Sequence, residues 1–202
     1  MSRSVDYYFA PQSPWTYLGH ERFAAILRAS GASVRVLPID LGGKVFPISG
    51  GLPVGQRAPQ RQAYRLVELQ RYSKFLNAPL NLKPKYFPVN GDNAARLIIA
   101  VDLHDGPADA MRITGAVLAA VWAQERHIDD EKVLAQLLAE HGLDAARLEQ
   151  SHSQAVQVRY EANTQAAIDA GVFGAPSYVI DGEIFWGQDR LGFVERTLSP
   201  AD

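Results

Sequence analysis

The first 39 residues set the tightest constraint on the fold. Val5 to Phe9 is an apolar run rich in β-branched and aromatic residues, which predicts a strand. From about Pro14 to Ser30, Tyr17, Phe23, Ala24, Ile26 and Leu27 recur with near-helical spacing, and Gly31 ends the pattern. Ser33 to Ile39 alternates and predicts a second strand. A β-α-β unit of this length joins two parallel strands by a right-handed crossover. Whatever follows must complete a sheet that already contains that pair.

The turn between the first strand and the helix is Phe9-Ala10-Pro11-Gln12-Ser13-Pro14-Trp15-Thr16. Ser is a favoured residue just before a helix, and Pro is favoured at its first position. Such a terminus carries about half a positive charge and unpaired N–H groups, so it attracts an anion. The Ser13 hydroxyl can serve a thiolate, a carboxylate or a phosphate there. From the junction alone, a plain helix cap is the simpler reading.

Composition narrows the chemistry. The chain has no cysteine. That removes structural disulfides, a protein thiol nucleophile and cysteine metal sites, so any thiol must arrive with a ligand. The length of 202 residues suits one large domain, or one domain with an insertion, and 47% hydrophobic residues can build a sizeable core. A net charge of −2 gives no basis for nucleic acid or an anionic membrane as partner. No apolar run approaches the ~18 residues needed to span a bilayer. Met1 to Asp6 lacks the apolar core of a signal peptide, so the expected compartment is the cytoplasm.

Asp40 to Pro59 holds five Gly and three Pro and is expected to be a loop. Its Gly42-Gly43-Lys44 lacks the order of a phosphate-binding P-loop. A binding loop and a flexible surface excursion fit it equally. From about Pro59 to Ala170 the pattern is helical. Ala63, Leu66, Val67 and Gln70 are expected to share one face, and Ala94, Leu97, Ile98 and Val101 another. Ile113, Val117 and Val121 recur four apart, and Val133, Leu137 and Leu138 follow before Gly142. Asn77 to Gly91 breaks the run with Pro79, Pro84 and Pro88. Its Tyr86-Phe87 either lines a pocket or fills a gap between helices.

Strand signals return at the end. Ser177 to Ile180 and Glu183 to Trp186 flank Asp181-Gly182, a strong short hairpin signal, and a last helix runs from about Arg190 to Leu198. The order is β-α-β, a helical block, then β-β-α. This is an α/β thioredoxin-like fold with a large all-helical insertion, divided as 1–56 plus 153–202 for the thioredoxin-like part and 57–152 for the insertion. Pro176, just before the third strand, is expected to be cis on the strength of that fold.

Three stretches together are distinctive: the strand leading into Ser13-Pro14 with Tyr17-Leu18, then Val172-Phe173-Gly174-Ala175-Pro176, then Trp186-Gly187-Gln188-Asp189-Arg190. Across essentially the whole chain they resemble the 2-hydroxychromene-2-carboxylate isomerases, relatives of the kappa-class glutathione transferases and of the bacterial disulfide oxidoreductases. The latter carry Cys-x-x-Cys where this chain has Ser13 and Thr16, so dithiol redox chemistry is excluded. The resemblance implies glutathione bound at the head of the first helix, with Ser13 donating to its sulfur. It implies that Ala175, before Pro176, pairs with the glutathione main chain. Trp186, Gly187, Gln188 and Asp189 would then hold the γ-glutamyl end. An ordinary helix cap is the simpler role for Asp189.

On the other side, the resemblance implies that a small aromatic carboxylate is contacted by Lys44, by the pair Gln56-Arg57 and by Tyr86. Gln56 stands where the family has Asn. The implied activity is glutathione-dependent cis–trans isomerisation in fused-ring aromatic catabolism, as in naphthalene degradation, by a homodimer. Two other readings stay open: a kappa-like glutathione transferase or peroxidase, and a non-catalytic glutathione- or peptide-binding module. His20, His104, His127, His141 and His152 show no metal spacing and are expected mostly at the surface, so no metal is assigned. Ser13 lacks the Gly-x-Ser-x-Gly elbow of a hydrolase.

Overall fold

In the computed structural model, which describes residues 3–199, β1 (Ser4–Phe9) lies inside a four-stranded sheet of order β2-β1-β3-β4. It pairs in parallel with β2 (Ser33–Pro38) and antiparallel with β3 (Ser177–Ile180), which in turn pairs antiparallel with β4 (Glu183–Trp186). Successive strand residues point to opposite faces. Val5, Tyr7 and Phe9 thus pack into the larger core, while Tyr8 packs with Leu37, Val172 and Val179 on the other side. Asp181 and Gly182 both have positive φ, the backbone that a two-residue hairpin turn requires.

α1 (Pro14–Ser30) crosses from β1 to β2. Its Phe23, Ile26 and Leu27 are buried, and Gly31, at φ +67°, closes it in the left-handed region. At the far end of the chain a 3-10 turn (Gln188–Arg190) leads into α9 (Leu191–Leu198). This helix begins one residue later than expected, and Leu191, Val194 and Leu198 meet the same core.

The expected loop after β2 contains helical structure: a π-helical turn (Leu41–Val45), the short α2 (Phe46–Ser49) and a 3-10 turn (Val54–Gln56). Asp40 starts the first of these by accepting from the Gly43 N–H at 2.7 Å. The helices that follow are α3 (Pro59–Phe75), α4 (Asp92–Asp105), α5 (Pro107–Trp122), α6 (Glu131–Glu140), α7 (Ala146–Gln150) and α8 (Gln154–Asp169). Ala94, Leu97, Ile98 and Val101 of α4 and Ile113, Val117 and Val121 of α5 are buried together with Tyr7 and Phe9 of β1. One apolar cluster therefore runs from the sheet into the helical block.

α3 departs from the expected pattern. Ala63, Val67 and Gln70 are exposed and Leu66 is half-buried; the buried positions are Arg65 and Leu69. Periodicity ranks a face by the polarity of its side chains, and here a guanidinium turns inward. His20 also differs from the surface position expected for most histidines. It is 3% exposed, with Tyr7 Oη at 3.2 Å from Nδ1 and Met111 O at 2.9 Å from Nε2.

Candidate active site

The head of α1 is held from three directions. Ser13 has extended backbone (φ −78°, ψ 123°), and its Oγ accepts from the Thr16 N–H at 3.2 Å, so it does cap the helix. Pro14 occupies the first turn, where its missing N–H costs no hydrogen bond. The Ser13 hydroxyl donates to Ala175 O over 3.5 Å, the long limit for such a bond. Its proton can therefore turn to a better acceptor at little loss. The Ala175–Pro176 peptide is cis, as expected. Residues 162 positions apart thus meet at the hydroxyl.

Hydrogen bonds fasten the segment around that turn. Ser177 Oγ donates to Gly174 O at 2.8 Å, and the Gly187 N–H donates to Pro176 O at 2.9 Å. A Cβ on Gly174 would collide with the Trp186 indole, so glycine lets the chain pass beneath that ring. Trp186 is half exposed and meets Phe173 edge-on at 4.8 Å. Asp189 pairs with the adjacent Arg190 at 2.7 Å; its carboxylate stays partly exposed.

Gln188 has a different place from a free ligand contact. It is 2% exposed, and Arg22 of α1 donates to its Oε1 at 3.0 Å and to its backbone carbonyl at 3.3 Å. Its side chain fastens the 3-10 turn to α1. Nothing in the local sequence around Arg22 signals this long-range clamp.

On the other side, Trp122 Nε1 donates to Gln12 O at 3.3 Å, and Trp15 meets Tyr72 of α3 edge-on at 6.0 Å. The Phe87 ring packs on Trp122 at 4.8 Å, following a loop that holds a second cis peptide at Phe87–Pro88. Tyr86 lies half-buried beside His127, ring centroids 4.9 Å apart, with the Lys85 ammonium over its face. Phe87 thus fills a gap between helices, whereas Tyr86 turns toward His127. Lys44 and Gln56 are exposed. Arg57 is half-buried and donates from Nε to Leu52 O at 2.8 Å; burial, then the nearby Arg61, pushes its pKa down.

The structure thus brings Ser13, Ala175 and Pro176 together, with Gly187 bonded to Pro176 O and Trp186 paired to Ser177 across the hairpin. Lys44, Gln56, Arg57 and Tyr86 lie on two separate loops and make no hydrogen bond to Ser13 among the described residues. Arg65, outside the expected site residues, is buried between Phe87 and Trp122. The available signal was the spacing Arg57, Arg61, Arg65 with no acidic residue until Glu68. An open groove of about 470 Å³ between α1 and α5, lined by residues such as Glu21, Arg28, Met111, Arg112 and His141, does not include Ser13.

Comparison with known proteins agrees with this architecture. Residues 4–199 match the model of the DSBA-like thioredoxin domain. A 2-hydroxychromene-2-carboxylate isomerase of Pseudomonas putida is 31% identical over 96% of this chain and 93% of its own length. A solved 2-hydroxychromene-2-carboxylate isomerase superposes with a TM-score of 0.80 at 30% identity, covering 96% of this chain and 94% of that one. Glutathione S-transferase kappa 1 of Caenorhabditis elegans is 23% identical over 96% of this chain and 90% of its own length. The chain belongs to the DSBA-like thioredoxin family and, within it, to the family of the 2-hydroxychromene-2-carboxylate isomerases.

Proposed function

We propose that this protein is a glutathione-dependent cis–trans isomerase acting on 2-hydroxychromene-2-carboxylate or a closely similar aromatic carboxylate. The observation that carries the reading is the Ser13 hydroxyl. It sits at a helix N-terminus against a cis Ala175–Pro176 turn in a chain without cysteine. That position suits a thiolate delivered by a ligand. The helix terminus and a donated O–H both favour the anionic form.

Glutathione, when bound, would supply a thiolate that adds reversibly to the conjugated double bond of the ring-opened substrate; the bond's electron pair would move onto the conjugated carbonyl and return as the thiolate is expelled, so that the bond could rotate while single and glutathione would be regenerated. Ser13 swings its proton from Ala175 O to the sulfur and holds the charge there. An ordinary thiol has a pKa near ~8.5, and each unit of lowering is worth about 1.4 kcal/mol. Ala175 presents its backbone beside Pro176 to the peptide-like part of the ligand, in the manner of an added strand. The turn at Gly187 to Asp189 takes the γ-glutamyl end, through Asp189 and backbone N–H groups, with the Trp186 ring alongside. Gln188 supports this turn through Arg22. Arg57 and Lys44 hold the carboxylate of the second ligand, and Tyr86 contacts its ring. The same reading places the protein, as a homodimer, in the reducing, glutathione-rich cytoplasm.

The test follows the absorbance of 2-hydroxychromene-2-carboxylate with purified protein, with and without glutathione. Glutathione-dependent conversion at constant total glutathione is expected. Conversion at the same rate without glutathione defeats the reading. Net consumption of glutathione favours a transferase instead, a reading with some support from the kappa-class relative.

A further inference from the structure

Arg57, Arg61 and Arg65 run at four-residue spacing into α3 and pass from half-buried and exposed to buried; Arg65 is 8% exposed. Among the described residues, none of the three has a carboxylate within ion-pair distance. The acid nearest in sequence, Glu68, is taken by Arg71. Burial, and then the charge of Arg57, pushes the Arg65 pKa down to about 10, which leaves it cationic at neutral pH.

The Arg65 guanidinium lies 5.3 Å from the Phe87 ring centroid and 5.6 Å from that of Trp122. Both rings attract a cation, and a guanidinium stacks on aromatic faces. Yet its Nη2 is sealed from water and has no hydrogen-bond partner. A buried charge normally persists only with a partner, and an apolar side chain fills an aromatic gap at lower cost. Trp122 also donates to Gln12 O, the carbonyl next to Ser13. One indole therefore links the unpaired cation to the head of α1. Gln12 Oε1 at the same end is likewise buried and unpartnered.

We infer that Arg65 is the deep anchor for the carboxylate of the second, aromatic ligand, with Arg57 drawing the anion in from the surface. This rests on the aromatic-carboxylate reading above. It moves the principal contact from the exposed loop to α3. A forked guanidinium meets both oxygens of a carboxylate, and its aromatic bed excludes water around the pair.

Calorimetry with trans-cinnamate and its neutral analogue cinnamamide tests this, using the full chain and the variants R65K and R65M. The unsubstituted protein is expected to bind cinnamate at least tenfold more tightly than cinnamamide. R65M is expected to lose that preference and R65K most of it. Glutathione affinity should stay within about twofold in both. Without ligand, R65M is expected to melt no lower than the unsubstituted protein, because no hydrogen-bond or ion-pair partner of the buried charge is lost and a methionine still packs on the two rings. Cinnamate affinity in R65K equal to the parent's, or no preference for the anion in the parent, overturns the inference. If R65M does not fold, R65K carries the binding test and the loss of R65M counts against the anchor. Charge preference that tracks Arg65 without glutathione-dependent isomerisation keeps the anchor and rejects the isomerase reading. Isomerisation with an unchanged KM in R65K does the reverse.

Discussion

On one side of the α1 head, Arg22 clamps Gln188, Ser177 closes on Gly174, and Gly187 bonds to Pro176. On the other, Gln12 Oε1 and Arg65 Nη2 are buried with nothing to bond, and Thr16 Oγ1 of α1 is in the same condition. Among the described residues, Tyr178 Oη breaks the contrast, an orphan on the satisfied side. Leaving a buried polar group unpaired costs about 1–3 kcal/mol. The first wall is fixed by folding alone and presents a backbone edge. The second holds polar groups whose partners the chain does not supply. On the proposed function, the first wall would meet the peptide-like ligand and the second the smaller anion.

The largest expected effect falls where the walls meet. Ser13→Ala removes the hydroxyl that bridges from the head of α1 to Ala175 O. Loss of a donor aimed at developing or resident charge typically costs 10²–10³ in rate, or about 3–4 kcal/mol. Glutathione-dependent turnover should fall by at least about a hundredfold, with folding affected only through the lost cap, about 1 kcal/mol. A rate within threefold of the parent removes Ser13 from the chemistry and leaves it a plain cap.

Next in size, the satisfied wall should be intolerant of added volume. A Cβ on Gly19 would lie 2.8 Å from Gln188 Cβ and 3.4 Å from its Cα, with Tyr178 Oη at 3.0 Å. Gly19→Ala is expected to destabilise by about 1–3 kcal/mol through overpacking, despite the better helix propensity of Ala. Urea denaturation measures it, and glutathione affinity should fall in parallel as the Gln188 turn shifts. An unchanged midpoint shows that the wall yields, and the contrast between the two sides weakens.

The opposite sign is expected beside it. Thr16→Val deletes a fully buried, unpartnered hydroxyl and keeps the shape of the side chain. Replacing such a group by a methyl should be neutral or stabilising by about 1 kcal/mol. A clear loss of stability in the same denaturation experiment indicates a hidden partner for the hydroxyl and breaks the comparison.

The two walls also differ in how far they could be read from the sequence. Ser13-Pro14, Ala175-Pro176 and the Asp181-Gly182 hairpin are local signals, each tied to a backbone geometry that few residues provide. The structure reproduces that geometry, down to positive φ at both hairpin residues. The unfinished wall is the product of side chains meeting across distance. On α3 the face expected to hold Ala63, Leu66, Val67 and Gln70 is not the buried one; the helix buries Arg65 and Leu69, because Trp122 and Phe87 make a bed for a cation that hydrophobic periodicity does not register. The clamp of Arg22 on Gln188 spans 166 positions and escaped for the same reason. His20 is an exception to the mostly surface placement expected of the histidines, since both of its ring nitrogens find partners inside the core.

That histidine supplies the smallest effect and a control for the contrast. Met111 O can only accept, so His20 Nε2 carries the proton and Nδ1 accepts from the Tyr7 hydroxyl. The neutral ring is fully satisfied, unlike Arg65. Burial lowers its pKa, opposed by the Met111 carbonyl and the charge of Glu21. In the unfolded chain the ring titrates near ~6.5. Its contribution to stability is therefore complete above that pH and is lost as the pH falls through the lower folded value, since the unfolded chain takes up the proton first. Each unit of lowering is worth about 1.4 kcal/mol. Urea midpoints at pH 7.5 and pH 5.5 should drop more for the parent than for His20→Gln, while cinnamate preference at pH 7.5 stays the same in both. If His20→Gln shows the same acid loss as the parent, another group governs it. If it shifts the anion preference, the satisfied core and the unfinished pocket are coupled rather than separate.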